Sequence, residues 1–430
     1  QTYRPKHQVV INKCYPRLPK NSTIDAKPNG SELSALCFYM ANRPVKLPKV
    51  ASYLERRTAR EVAKQQSAPV LVTLQILSAL MQINVVDGSA LALIAPYLMR
   101  ILSLILSRAV DVSLFEASCA TWDVFCQHQD MAVLEGKSEY KLLYEQVLRQ
   151  YASLGSKHTG KRLGSSTSPV EAQTAMRLRR VGLSALLSVL RSETLALESA
   201  QVLHDTIVPA VISNLRGDAK SLSRLFARAR EGEEEQKSPR ASMAANRDEV
   251  PADPRAAEGS IKDADDLEEE KAALMAVACL KAIFNTSCKP LLHAGAGATL
   301  EVLGRDPDSQ AWAVELFAQC AAWTAVQDRF LVVVVAINRV GQLENMRQQY
   351  LLLAIIEHIF HSDLNLIGLS IMDVLLGLLS QTARILREGS ESNPAMLEML
   401  QKCVAHLATH VYYQEQITDM VSAILTRLKS

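Results

Sequence analysis

The sequence has 430 residues, of which 48% are hydrophobic, 5% aromatic and 21% charged. A single hydrophobic core rarely grows beyond about 250–300 residues, so this length excludes one compact domain and leaves several domains or an elongated repeat. Leu, Ala, Val and Ile supply most of the apolar material, as is typical of thin stacked helical layers.

Charge is distributed unevenly, although the net charge is only +2. Residues 1–64 contain 13 Lys and Arg against 4 Asp and Glu, whereas the rest of the chain carries a net charge of −7. Such an asymmetry indicates a surface that meets anions. Prolines at positions 5, 16, 19 and 28 predict an irregular start, a helix then begins near Ser31 as N-cap, and another follows Pro48.

From residue 70 onward, apolar residues recur at the 3.6-residue spacing of helices. Asp111 and Ser309 lie where N-caps are expected, and the run Val332–Val335 is interpreted as part of a buried helix. The pattern predicts the helix pairs 70–84 with 90–108, 111–130 with 138–153, 171–190 with 195–215, 268–287 with 297–304, 309–323 with 326–342, 346–361 with 364–381, and 394–410 with 413–429. A period of 35–45 residues predicts an all-α fold, an α-solenoid of armadillo- or HEAT-like repeats forming an elongated rod.

Two segments depart from this pattern. Residues 155–170 are rich in Gly, Ser and basic groups and are expected to form an exposed loop. Residues 231–266 are acidic, contain three prolines and have few large apolar groups, so we expect a disordered insertion there, with Ser238 as a candidate phosphorylation site. The predicted organisation is a basic segment over 1–64, helical repeats over 65–230, the insertion over 231–266 and further repeats over 267–430.

The sequence gives no sign of a membrane span or of disulfides. The strongest candidate span, Ala90–Leu106, contains Pro96 and Arg100. The eight cysteines are scattered without a C-x-x-C pair, which indicates buried thiols in a reducing compartment. The chain begins at Gln1 rather than Met, which suggests a fragment of a longer protein.

Catalytic motifs are weak, and we therefore predict that the chain is not an enzyme and needs no cofactor or metal. The sequence GSKHTGKR at 155–162 resembles a phosphate-binding loop, but Arg162 replaces the required Ser or Thr, and a helix rather than a strand precedes it. The histidine pairs 358/361 and 406/410 have zinc-compatible spacing, but no third ligand is nearby in sequence and ordinary half-buried histidines are the favoured interpretation.

The basic N-terminal segment is the strongest functional signal. It is compatible with a solvated surface, with nucleic acid or with an acidic membrane, and the scarcity of interleaved aromatic residues disfavours nucleic acid. A second basic strip at residues 220, 224 and 228 is interpreted as the solvated face of one helix. An acidic membrane is the favoured interpretation of the basic segment. The residues expected to contact it are Lys6, Lys13, Arg17, Lys20, Lys27, Arg43, Lys46, Lys49, Arg56, Arg57 and Arg60.

The motifs CYP at 14–16, KPN at 27–29, SELS at 31–34, VKLPKVASYLERR at 45–57 and VTLQILSAL at 72–80 resemble the eighty-five-requiring family, called rolling blackout in animals. The resemblance implies a peripheral scaffold on the cytoplasmic face of the plasma membrane. Such a scaffold binds acidic phospholipids of the inner leaflet through basic N-terminal residues and recruits a phosphatidylinositol 4-kinase through a tetratricopeptide-repeat adaptor. The adaptor site is expected mostly C-terminal to this fragment.

Two alternatives of other classes remain open from the sequence. One is a lipid-acting hydrolase whose catalytic residues come from distant positions. The other is a soluble helical-repeat adaptor that binds protein partners without lipid.

Overall fold

The computed structural model describes residues 5–17, 26–83, 88–129, 138–157, 169–192, 200–237, 260–306, 308–387, 394–410 and 416–429. Over these residues the regular secondary structure is helical and contains no strand, which confirms the all-α prediction. The contacts divide the chain into two compact units, Gln1–Ala196 and Leu197–Ser430. The domain organisation predicted from sequence placed its boundaries elsewhere, near residues 64, 230 and 266.

In the first unit, alternate helices stack into two layers. The α3–α5–α7 contacts form one layer and the α2–α4–α6–α8 contacts form the other. Helix pairs are therefore present in this unit, but the consecutive helices that pack together are Leu47–Ala63 with Ser67–Ile83, Gly88–Arg108 with Val112–His128, and Ser138–Gly155 with Pro169–Arg191. The predicted pairing of 70–84 with 90–108 and of 111–130 with 138–153 was shifted from these pairs by one helix. The helices of this unit are α1 (Lys6–Cys14), α2 (Gly30–Ala41), α3 (Leu47–Ala63), α4 (Ser67–Ile83), α5 (Gly88–Arg108), α6 (Val112–His128), α7 (Ser138–Gly155) and α8 (Pro169–Arg191).

An aromatic cluster lies at the centre of this unit. The Trp122 ring packs 5.6 Å from that of Tyr151, and its indole Nε1 donates a hydrogen bond of 3.1 Å to the carbonyl of Ala185. Both rings are fully buried, and the indole and phenol groups find partners inside the fold. At the start of α6, the carboxylate of Asp111 accepts a bond from the backbone N of Ser113, so the predicted N-cap is confirmed.

The second unit repeats the two-layer arrangement. Contacts run through α11–α13–α15–α17 and through α12–α14–α16–α18. The valine run at 332–335 lies inside α14 and is largely buried, as interpreted. The helices are α9 (Ala200–Val202, the π-helical turn Leu203–Ile207 and Val208–Ser213), α10 (Ala219–Lys237), α11 (Ser260–Phe284), α12 (Lys289–Gly304), α13 (Gln310–Trp323), α14 (Arg329–Gln342), α15 (Met346–His361), α16 (Ile371–Arg387), α17 (Pro394–Thr409) and α18 (Ile417–Lys429).

Several boundaries differ from the sequence predictions for identifiable reasons. The start of the chain is not irregular throughout, because α1 lies between Pro5, its N-cap, and Pro16, and neither proline falls inside it. By contrast, α5 continues through Pro96, in agreement with the predicted helix over 90–108. The N-cap of α2 is Asn29 rather than Ser31, and Ser309 occupies the N-cap of α13 without a side-chain capping bond.

The predicted disordered insertion is too long at both ends. Residues 231–237 continue α10 and residues 260–266 begin α11, so these charged stretches are helical. Runs of Glu and Lys have good helix propensity, and a composition-based argument underrates them at helix ends. Ser238 and residues 238–259 lie outside the described residues.

Candidate functional site

The first helix is held against the third by polar contacts. Two side chains of α3 donate to Oδ1 of Asn12, the Tyr53 hydroxyl at 2.9 Å and the Arg57 Nη1 at 2.7 Å. The Tyr15 hydroxyl, just after α1, lies 2.8 Å from that of Thr73 on α4. The α1 helix is therefore fixed on the fold and its basic residues are positioned relative to those of α3.

Four basic side chains come together near the start of α1 and the connection between α2 and α3. The Lys6 Nζ lies 5.7 Å from the Tyr39 ring centroid and the Arg43 Cζ lies 5.8 Å from the same centroid. On the adjoining side, burial and then the charges of two lysines lower the pKa of His7. Those lysines are Lys46 and Lys49. We name the set Lys6, Arg43, Lys46 and Lys49 the basic corner.

The basic corner is not neutralised by described acidic groups. The sequence contains no Asp or Glu between Glu32 and Glu55. Glu55 pairs with Arg100 of α5 at 2.9 Å, and Glu32 lies in the first turn of α2, at the opposite end of that helix. Among the residues that the structure describes, none of the four cations forms an ion pair with a carboxylate. A concentration of positive charge therefore remains at the surface.

The other basic residues predicted from sequence are distributed differently. Lys13 and Arg17 line an open cleft at the far end of α1, which Glu32 also lines. Lys27, Arg56 and Arg60 are exposed outside the basic corner, and Lys20 is outside the described residues.

Arg57 is used within the fold. Its guanidinium lies 3.4 Å from the centroid of the Tyr15 ring while it donates to Asn12. Its Nε is buried. A cation stacked and hydrogen-bonded in this way contributes to the attachment of α1 rather than to a free surface.

Chemistry-bearing side chains elsewhere are engaged in packing. The His361 and His406 rings are 4.7 Å apart, and His406 Nδ1 lies 2.8 Å from Glu357 Oε1. In the described part of the chain no group of three or more potential ligands could hold a metal ion.

The cysteines follow the sequence prediction with one exception. All are free thiols, and all but Cys288 are buried. Burial raises the pKa of Cys14 and of Cys119 to about 11, which disfavours the nucleophilic thiolate at neutral pH.

One described helix segment, Leu91–Arg108 in α5, is long and apolar enough to cross a membrane by length and composition. Half of that window is buried inside the fold, as in the core helix of a soluble protein. The pair Gln310–Trp323 and Val326–Gln342 passes the same test only as one span bent by 118°. These segments are weak indications of a span.

Comparisons with known proteins agree with the fold and with the N-terminal motifs. The model of the family described as EFR3 protein matches residues 6–161 and 254–430. Protein EFR3 of Gibberella zeae is 35% identical over the whole chain, which covers 42% of that protein, and protein efr-3 of Neurospora crassa is 34% identical with 41% covered. The chain thus spans about two fifths of the length of these relatives.

A solved structure, the crystal structure of Efr3, matches the whole chain with a TM-score of 0.66 at 20% identity, and 68% of that chain is covered. At this identity the likeness supports the helical-repeat fold alone. The family match, by contrast, covers most of the sequence and confirms the resemblance stated from the N-terminal motifs. The chain belongs to the EFR3 family.

Proposed function

We propose that this chain is a non-catalytic scaffold that lies on the cytoplasmic face of the plasma membrane and contacts acidic phospholipids through the basic corner. The observation that carries the proposal is the convergence of the four cations around Tyr39 and His7 without a described carboxylate partner. Family membership supports a role in the phosphatidylinositol 4-kinase pathway.

The charge of the corner is sufficient for reversible recruitment. Each Lys or Arg close to anionic lipid contributes on the order of 1 kcal/mol. Four such residues contribute about 4 kcal/mol, which corresponds to about three decades in the partition coefficient. Because these charges are exposed, the attraction should weaken steeply as salt rises.

The second part of the proposal concerns partners. The family resemblance implies that the scaffold helps to recruit a phosphatidylinositol 4-kinase through a tetratricopeptide-repeat adaptor. Relatives extend well beyond the length matched here. We therefore propose that this chain supplies the membrane contact and that most of the adaptor site belongs to the remaining part of such proteins.

Vesicle co-sedimentation tests the lipid contact. The double variant K46E/K49E should lose most of its binding to phosphatidylcholine vesicles that contain phosphatidylserine. The control K220E/R224E makes the same charge change at two exposed residues of α10, and it should bind like the parent. Equal binding of the parent to purely neutral vesicles, or equal losses in both variants, would refute a lipid contact at the corner. A soluble adaptor would then be the remaining interpretation.

A further inference from the structure

We propose that Phe38 and Val45 insert into the acyl boundary of the acidic membrane on which the basic corner lies. The inference rests on the proposed function and deepens it. The corner would hold the membrane by two physically different forces, attraction between charges and burial of apolar side chains.

Phe38 lies in the last turn of α2, and Val45 lies in the connection between α2 and α3. Phe38 is 74% exposed and Val45 is 83% exposed. The neighbouring apolar residues of α2 behave differently, since Leu36 and Met40 are fully buried. Because burial of a large side chain normally stabilises a fold by about 1.5–3 kcal/mol, two such side chains left outside it near the C-terminal end of α2 require a reason.

Hydrogen bonds hold the end of α2 and the connection that follows it in place. Nδ2 of Asn42 donates to the carbonyl of Phe38 at 2.8 Å, and the backbone N of Lys46 donates to the carbonyl of Arg43 at 3.0 Å. Leu47, which follows directly, is fully buried and fixes the start of α3. Phe38 and Val45 are consequently presented by ordered backbone and cannot fold back on the core without breaking these hydrogen bonds.

Exposure alone would carry no conclusion, because single apolar residues are common on protein surfaces. Val110 is 79% exposed and Leu142 is 69% exposed elsewhere in the same unit. Next to Val110 lies Asp111, and Leu142 is followed three positions later by Glu145. Val45 instead lies between Arg43 and Lys46 of the basic corner, and Phe38 directly precedes Tyr39, whose ring Lys6 and Arg43 contact. No acidic residue occurs over the whole stretch from 33 to 54.

A membrane that contains acidic lipid is the partner that complements both properties. Its headgroups attract the cations, and the acyl layer just beneath them accepts apolar side chains. Tyr39 follows Phe38 in α2, is half-buried and is contacted by Lys6 and Arg43. Tyrosine is a type of side chain that is enriched at membrane interfaces. Two side chains are too few for the apolar centre of a stable protein interface, which needs about 800 Å² on each partner.

The test compares matched pairs of apolar-to-polar substitutions in the 430-residue chain. F38S/V45S removes the proposed insertion, and L142S/V110S removes equally exposed residues from another part of the unit. The partition coefficient is measured on phosphatidylcholine vesicles with and without phosphatidylserine, at low and high salt. F38S/V45S should lower binding to acidic vesicles by about 10- to 100-fold, and the control should leave it unchanged. Melting curves check that both variants remain folded.

Salt separates this loss from the loss caused by charge reversal. The difference between K46E/K49E and the parent should shrink at high salt because screening weakens it. The relative effect of F38S/V45S should persist, because apolar burial does not depend on screening. If the parent binds acidic vesicles and F38S/V45S binds equally well, the insertion is overturned while the proposed lipid contact stands. If the parent does not bind them at all, the proposed function itself fails.

An optical readout reports insertion directly. The indole added by F38W should shift to shorter emission wavelengths on acidic vesicles and be quenched by lipids brominated on their acyl chains. The same substitution at Val110, V110W, supplies the control and should respond to neither. The proposal is overturned if F38W binds the vesicles and its added fluorescence is quenched no more than that of V110W.

Discussion

Gly182 sits where α7 and α8 approach too closely for any side chain. A Cβ at this position would lie 2.5 Å from the carbonyl O of Tyr151 and still closer to the backbone N of Gly155. Both obstacles are backbone atoms of α7, so neither can rotate away. The substitution G182A must therefore push the two helices apart.

The expected cost follows from two opposing effects. Overpacking of a well-packed core typically costs about 1–3 kcal/mol, and a backbone obstacle belongs at the upper end of that range. Replacing a helical glycine by alanine gains about 1 kcal/mol in helix propensity. We expect G182A to lower the free energy of unfolding by about 2 kcal/mol, which is a fall in Tm of about 4–8 °C for a unit of this size.

Circular dichroism melting measures the shift, and hydrogen exchange of α7 and α8 assigns it to this contact. Gly232 provides the control, because it lies in helix α10 and a Cβ there meets no heavy atom within 4 Å. G232A should keep or raise the Tm. A G182A protein that melts at or above the parent temperature would show that the helices are not in contact at this point.

Four further outcomes are expected. K46Q/K49Q should raise the pKa of His7, measured by NMR titration, because the lysine charges lower it. Because the pKa of His7 is lowered in the folded protein, protonation of His7 costs stability as the pH falls through that pKa. H7Q should therefore reduce the loss of stability in acid. Under native conditions a maleimide should label one cysteine of the eight rapidly, Cys288, and mass spectrometry of digests would identify any other site. R57Q should lower the free energy of unfolding in urea by about 2 kcal/mol and leave vesicle binding unchanged, because the cation–π contact and the hydrogen bond of Arg57 are internal. If R57Q instead keeps its stability and loses vesicle binding, Arg57 belongs to the membrane-contacting surface.

The sequence predicts most of the fold because helical periodicity is a local property. The predicted range 346–361 coincides with α15, and 394–410 ends one residue from the end of α17. Errors arise where composition replaces periodicity. Prolines at 5 and 16 suggested irregular structure but only delimit α1, and charged residues at 231–237 suggested disorder although they extend α10. A proline or a run of charged residues therefore does not by itself locate the end of a helix.

The candidate site is less predictable, because charge is counted along the chain and the surface is built in space. The basic corner forms because α1 lies alongside the start of α3, which brings together residues 6, 43, 46 and 49. The contacts of Asn12 hold α1 in this position. Arg57 lies among the same basic residues in sequence, but its guanidinium faces Tyr15 inside the fold. No count of lysines and arginines separates these cases, since the distinction depends on which helix face is covered.

The same reasoning explains why an exposed phenylalanine escapes sequence analysis. Helical spacing predicts a buried face for α2 and is satisfied by residues 36, 37 and 40, so Phe38 reads as one more apolar residue of a core helix. Only the packed structure reveals that none of the described helices covers it. If the corner evolved to meet a membrane, its apolar residues must escape burial by the protein, and local hydrophobicity then misassigns them to the core. In this family, a membrane contact should therefore be sought at exposed apolar residues that lie among basic side chains.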